Sequence, residues 1–558
     1  MRKLTGSIFL TFSILLINSC DNATNDNTNS ADNNQNTYST ELVKFSTKHF
    51  AGSGNCAECH SSLRDEAGND VSIDKDWRST MMANASKDPF WQAKVHTEII
   101  RNPDYKEIIE EKCATCHMPM AKKQAEFDGK DIKIFDDGFL NPDNKYHKLA
   151  MDGVSCTLCH QIQDDGKLGT KESFSGNFTI DKDTEKPDRE IYGPFTNPLT
   201  MPMRTRVGFT PTYSPHVNES KLCATCHTLY TPTIGEDGNI IGEIPEQTPY
   251  LEWEYSKFGD GGDDDISCQG CHMPQAVGKV KISNRPGMLQ GREPFYKHYF
   301  VGGNVFMLKI LKRNIEELKL TAEKEHFDRT IQRTIDMLKS SAELQIGNIT
   351  KNGNILEVPI TVINKSGHKL PTGYPSRRVW IHFVVKDKNN NIIFESGKSS
   401  DDGKIYGNNS DYTNSYEPHY QVIDSEDKVQ IYESVMADTS GNVTYTLLKG
   451  AYYIKDNRLL PEGFNKQNAP EDIEVKGNAK TDSDFIDGQD TVLYKVDTTG
   501  FEGPFIIEAK LKYQSIAYSF YKDLLNDESN SKYVQIFKLF YEEENNEGYT
   551  ITEVSKTY

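Results

Sequence analysis

Ten of the eleven cysteines fall into five pairs, two residues apart, and each pair is followed at once by histidine. The motifs are Cys56-Ala57-Glu58-Cys59-His60, Cys113-Ala114-Thr115-Cys116-His117, Cys156-Thr157-Leu158-Cys159-His160, Cys223-Ala224-Thr225-Cys226-His227 and Cys268-Gln269-Gly270-Cys271-His272. Two thiolates at this spacing reach the vinyl groups on adjacent pyrroles of a haem and form thioethers. The next residue then lies under the iron, where an imidazole nitrogen binds as proximal ligand. Zinc also takes paired cysteines, but gives no reason for a histidine after every second one. Disulfides within the pairs would leave the five aligned histidines unexplained. The pattern predicts five covalent haems c.

An iron that only carries electrons needs a second axial ligand. Fourteen histidines, less the five in the motifs, leave nine. Four have the best settings: His147 and His216 shortly before the third and fourth motifs, His298 shortly after the fifth, and His368 in the rigid turn Gly367-His368-Lys369-Leu370-Pro371-Thr372-Gly373. The fifth ligand is expected from the thioether of Met81 or Met82, at the start of a predicted helix, with His49 and His96 in reserve. Met118 and Met273 directly follow motif histidines and point away from the far side of those irons.

The elements that must position these groups differ along the chain. Residues 45–304 have few long periodic runs and many Gly, Pro, Asp and Asn, and the motifs recur at irregular intervals of 57, 43, 67 and 45 residues. That predicts a mainly α and irregular haem domain, with porphyrins supplying apolar surface that side chains would otherwise provide. Over 305–344, Leu308, Leu311, Ile315, Leu318, Leu320, Ile331, Ile335 and Leu338 recur near helical spacing, predicting a helical connector. Across 345–558 the period shifts towards two, with strands expected at 355–362, 379–385, 392–395, 443–448, 492–496 and 505–513. An immunoglobulin-like β-sandwich is the predicted architecture. If His368 ligates a haem, that sandwich is docked on the haem domain.

The first residues speak to location. Met1-Arg2-Lys3 precedes an apolar run from Ile8 to Ile17, too short to span a bilayer and suited to a signal peptide over 1–20. The run ends in Ile17-Asn18-Ser19-Cys20, similar to the lipobox of bacterial lipoproteins, so Cys20 is the expected lipidation site. Residues 21–44 read as a polar, Asn- and Asp-rich tether. The expected location is an outer membrane, facing the periplasm or the cell surface, held by the lipid alone. The formal charge of −19 argues against a nucleic-acid partner and suits redox proteins with basic patches. Asp263-Asp264-Asp265 and the stretch from Asp482 to Asp490 lack the ligand spacing of a calcium loop and read as solvated acidic loops.

The stretch from Cys56 to Asn304 resembles the multihaem cytochrome c superfamily, which includes the tetrahaem cytochromes of nitrifiers, hydroxylamine oxidoreductase and the pentahaem nitrite reductases. The likeness rests on Asp152-Gly153-Val154-Ser155-Cys156, Tyr192-Gly193-Pro194-Phe195, Leu251-Glu252-Trp253 and Cys271-His272-Met273-Pro274. It implies electron transfer, or alternatively oxidation or reduction of a small nitrogen or sulfur compound at one open haem. The motif variant with lysine after the second cysteine, which marks the catalytic haem of the nitrite-reductase type, is absent.

Overall fold

The computed structural model describes residues 39–558 apart from Asp263. The expectations for the leader, Cys20 and the first part of the tether lie outside these residues. From Ser39 to Asn304 the chain is built of short helices and turns. Pro89–Arg101 is the longest helix there, and it starts where chemistry favours a start. Asp88 accepts from the backbone N–H groups of Phe90 and Trp91, and proline fills the first helical position. Met81 and Met82 lie in the turn before this helix, not at a helix start as expected. Two strand pairs interrupt the helices: β1 (Glu190–Gly193) runs parallel to β2 (Thr210–Tyr213), and β3 (Leu229–Ile234) forms a hairpin with β4 (Ile240–Gln247).

The helices Val305–Arg313 and Lys324–Ser340 follow. Asn304 caps the first through its side chain, and Glu323 with His326 makes a reciprocal cap on the second. Leu308, Leu311 and Leu338, three of the residues whose spacing predicted these helices, are buried, and Met307 and Ile310 join them.

The remainder is a two-sheet β-sandwich. Its strands are β5 (Ala342–Ile346), β6 (Thr350–Asn352), β7 (Ile355–Asn364), β8 (Arg378–Lys386), β9 (Ile392–Ser396), β10 (Val422–Ile423), β11 (Ile431–Ala437), β12 (Tyr452–Asp456), β13 (Gln489–Asp497), β14 (Ile506–Gln514) and β15 (Tyr549–Thr557). One sheet has the order β10–β13–β7–β5 with β6 also on β7; the other runs β12–β11–β8–β14–β15 with β9 also on β8. Every pairing is antiparallel except β10 with β13. Alternate residues face the shared core: Leu356, Val358, Ile360 and Val362 from β7 meet Val379, Ile381, Phe383 and Val385 from β8. Each such side chain contributes about 1.5–3 kcal/mol on burial, which fixes the register, since a one-residue slip would turn the whole set outward.

Two expectations fail here. Residues 443–448 do not form a strand; the segment ends in a short 3-10 turn at Leu447–Lys449, whose Leu447 N–H donates to Glu98 at 2.7 Å. The sandwich region also carries helices, Tyr518–Leu524 and Lys532–Glu542, between β14 and β15. They pack on Pro89–Arg101 through Phe90, Phe520 and Phe537. Residues 39–558 accordingly form one compact unit. Among them no helix is long and apolar enough to cross a membrane.

Candidate functional site

Each motif uses one helical turn. In the first, the backbone N–H groups of Cys59 and His60 both donate to Cys56 O, so the two thiols and the imidazole share a face. The same device ends the helices Lys106–His117 and Ser220–His227 and forms Cys268–His272. None of the ten motif cysteines is bridged to another in a disulfide. All ten, with all five motif histidines, line one cavity of about 1430 Å³.

Hydrogen bonds select which imidazole nitrogen faces that space. Nδ1 of His60 donates to Ile282 O at 2.7 Å, that of His117 to Ala85 O at 3.1 Å, that of His160 to Tyr192 O at 2.7 Å and that of His272 to Val301 O at 2.6 Å. A proton held on Nδ1 leaves Nε2 bare, the arrangement a metal-binding histidine requires. Burial drives the motif imidazoles towards the neutral form, His117 and His227 each down to about 4.

Two further histidines enter the cavity. His298 faces His160 with ring centroids 6.4 Å apart and planes 24° apart; His368 faces His272 at 6.2 Å and 8°. Both also commit Nδ1 to a backbone carbonyl, Tyr296 O and Lys369 O. With metal–imidazole bonds of about 2 Å, two rings holding one iron have centroids roughly 6 Å apart. The residues fit a haem held between each pair. His368 comes from the turn between β7 and β8, so the sandwich completes a cavity begun by the motif region.

The other candidates fall differently. His216 uses both nitrogens, Nδ1 to Ser214 Oγ at 2.6 Å and Nε2 to Ile162 O at 2.8 Å, and does not line the cavity. His49 is likewise committed twice, to Gln124 Oε1 and Lys182 O. His147 is tied through Nδ1 to Phe139 O, and His96 packs on Phe135 and Tyr533; neither lines the cavity. Met81 and Met82 do line it. Among the described residues no histidine faces His60, His117 or His227 as His298 and His368 face their partners. Of the expected set, the fold brings His298, His368, Met81 and Met82 to the cavity; His147 lies outside its lining, and His216 spends both ring nitrogens elsewhere.

Several cavity residues had no sequence signal, because they come from distant segments. Trp91 stacks on His117 at 4.5 Å. Lys94 pairs with Glu98 at 2.7 Å and donates to Tyr445 O at 2.6 Å. Burial pushes the Glu246 carboxyl up to about 7, and the Tyr374 hydroxyl is buried without a partner. The nearby charges of Glu246 and Glu98 act on Cys113, which places this group beside the second motif.

The Asp482–Asp490 stretch is only in part a solvated loop: Asp484 and Asp487 are exposed, but both ends turn inward. Asp482 and Asp490 are buried with His419, whose Nε2 lies 3.0 Å from Asp482 Oδ2. His419 Nδ1 accepts from the amides of Gln430 and Asn457, whose own oxygens accept from Tyr420 N–H and Glu433 N–H. Nε2 must then carry the proton and donate to Asp482. A metal would need that nitrogen bare, so the cluster is a hydrogen-bond network.

No protein-family model matches this chain, and no curated protein does. Among solved structures, a penta-haem cytochrome c552 from Thermochromatium tepidum is similar with a TM-score of 0.48 at 14% identity, covering 93% of this chain and 100% of that one. At that similarity the likeness assigns no residue a role.

Proposed function

We propose that this chain is an exported multihaem c-type cytochrome that carries electrons through five covalently bound haems. The observation that carries the proposal is the single cavity lined by all ten motif thiols and all five motif histidines. The opposed pairs His160–His298 and His272–His368 support two six-coordinate irons. Bound haem supplies one-electron carriage, while the chain fixes the tautomers of His60, His117, His160 and His272 and shields the group from water. The proposed lipid anchor at Cys20, the periplasmic or surface location and a basic redox partner rest on the leader and the charge of −19. The β5–β7–β13 and β15–β14–β8 orders support an immunoglobulin-like sandwich, and the motif-flanking segments support the nitrifier-type superfamily.

A second reading has its own observation. His60, His117 and His227 face no imidazole, and Met81 and Met82 can close at most two of those three irons. An open iron would bind small ligands, as an oxidoreductase acting on a nitrogen or sulfur compound requires. Pyridine haemochrome analysis should give five haems per chain; fewer in fully matured protein would sink the first reading. Low-temperature electron paramagnetic resonance with added carbon monoxide decides the second. A purely low-spin, carbon-monoxide-inert protein would leave only the carrier.

A further inference from the structure

We infer that Glu252 is a positioning residue: its carboxylate, from the motif region, clamps the His368 turn of the sandwich so that the imidazole stays on its iron. The inference rests on the reading of His368 as an axial ligand. Glu252 lies on the helix Pro249–Glu254 and is fully buried. Its Oε2 accepts from the Lys369 backbone N–H at 3.2 Å and from the Thr372 hydroxyl. Its Oε1 pairs with Arg458 at 2.8 Å and accepts from Thr248 at 3.3 Å.

The ring of charge then closes. Arg458 binds both oxygens of Asp456, at 2.9 and 2.7 Å, and Asp456 Oδ2 accepts from Lys369 Nζ at 2.8 Å. Two carboxylates and two cations sit together with little solvent contact. Such clusters are poor evidence for stability, because apolar residues of similar volume often do as well. What this one does supply is geometry. The peptide joining His368 to Lys369 is held at both ends: its carbonyl accepts from Asn364 Nδ2 at 2.9 Å and Ser366 Oγ at 3.0 Å, and its N–H goes to Glu252. Lys369 O in turn holds His368 Nδ1 at 3.0 Å. Asn364 and Ser366 belong to the sandwich itself. Glu252 is the hold that reaches across from the motif region.

The test uses the full, haem-loaded chain with His368→Ala, Glu252→Gln, Thr372→Val and the double variant Glu252→Gln/His368→Ala. The readouts are carbon monoxide bound per chain and the high-spin signal. His368→Ala should add one carbon monoxide per chain. Losing a charge-assisted bond should shift the bound-to-free ratio of His368 by about 10- to 100-fold, so Glu252→Gln opens the same iron in a fraction of molecules. Thr372→Val opens it in a smaller fraction, and carries the test should Glu252→Gln fail to mature. The double variant should open no more than His368→Ala alone. If His368→Ala opens no iron, the ligand reading fails. If it does while Glu252→Gln and Thr372→Val match the parent, or if the double variant opens a second iron, the clamp is overturned.

Discussion

Arg101 joins the motif region to the C-terminal helices, and its removal should free those helices. It ends the helix Pro89–Arg101 and donates through Nε to Asp527 Oδ2 at 2.8 Å, through Nη1 to Asp523 Oδ2 at 2.8 Å and Thr446 Oγ1 at 3.0 Å, and through Nη2 to Asp523 O at 2.9 Å. The guanidinium is 20% exposed and the carboxylates 16% and 12%, so solvent screens the pairing only in part. Bonds to a charged group contribute about 1.5–3 kcal/mol each but do not add, and two carboxylates are left uncompensated; Arg101→Ala should cost about 3 kcal/mol locally. Hydrogen exchange in Tyr518–Leu524 and Lys532–Glu542 should therefore quicken by about 100-fold, while the β7–β13 ladder keeps its protection. Arg101→Lys should recover less than half, because an ammonium cannot fork to both carboxylates. Exchange within about threefold of the parent in Arg101→Ala would refute the reasoning and leave the aromatic packing as the real hold.

His298→Ala should open one iron, seen as one further carbon monoxide bound per chain; an unchanged stoichiometry would remove His298 from the ligand set. Gly176 has φ +77°, and a β-carbon there would lie 2.1 Å from Thr115 Cγ2 and 3.7 Å from Cys116 Sγ. Gly176→Ala should therefore lower the yield of five-haem protein by displacing the second motif; full loading by mass spectrometry would contradict this. Glu246, raised by burial to about 7, keeps a proton that the unfolded chain releases near 4.3. The folded state binds more protons between those values, so stability falls as pH rises through the window, by about 4 kcal/mol in all. Glu246→Gln should flatten that part of the stability profile, and an equal slope in both proteins would assign it elsewhere.

What could be read in advance was whatever a local pattern determines. The motif cysteines and histidines are spaced by covalent chemistry along one helical turn, and β7 and β13 alternate because each has one buried face. The distal positions obey no such rule. His216 and His298 look equally suitable in sequence, but Ile162 O takes Nε2 of the first, while only Nδ1 of the second is engaged. A ligand needs both a nitrogen that the tertiary structure leaves bare and a place in the cavity; His147 also commits only Nδ1, yet it does not line that space. The segment 443–448 alternates like a strand, yet Glu98 from a helix some 350 residues earlier captures its backbone N–H. The helices in 518–542 carry an apolar face that matches Pro89–Arg101 only once the chain is folded.

The motifs also meet in an order different from their order in the chain. The neighbouring Cys156 and burial push the Cys56 thiol up; Cys226 acts in the same way on Cys116 and Cys268 on Cys223, while burial and then Cys226 raise Cys159, so these thiols are neighbours. The third motif thus joins the first to the fourth, and the fourth touches both the second and the fifth. Thioether bonds would bring haem edges together at these same points, and electron transfer favours the shortest edge-to-edge steps. A path from the first motif to the fifth would then run through the third and fourth and leave the second as a side branch. His60 and His227, on that path, face no imidazole any more than His117 does; what sets the branch apart is the group of Lys94, Glu98, Glu246 and Tyr374. A conducting line has no need of protonatable groups at a dead end, whereas ligand chemistry at an iron uses them. The branch, not the line, is where the carrier and the oxidoreductase readings part.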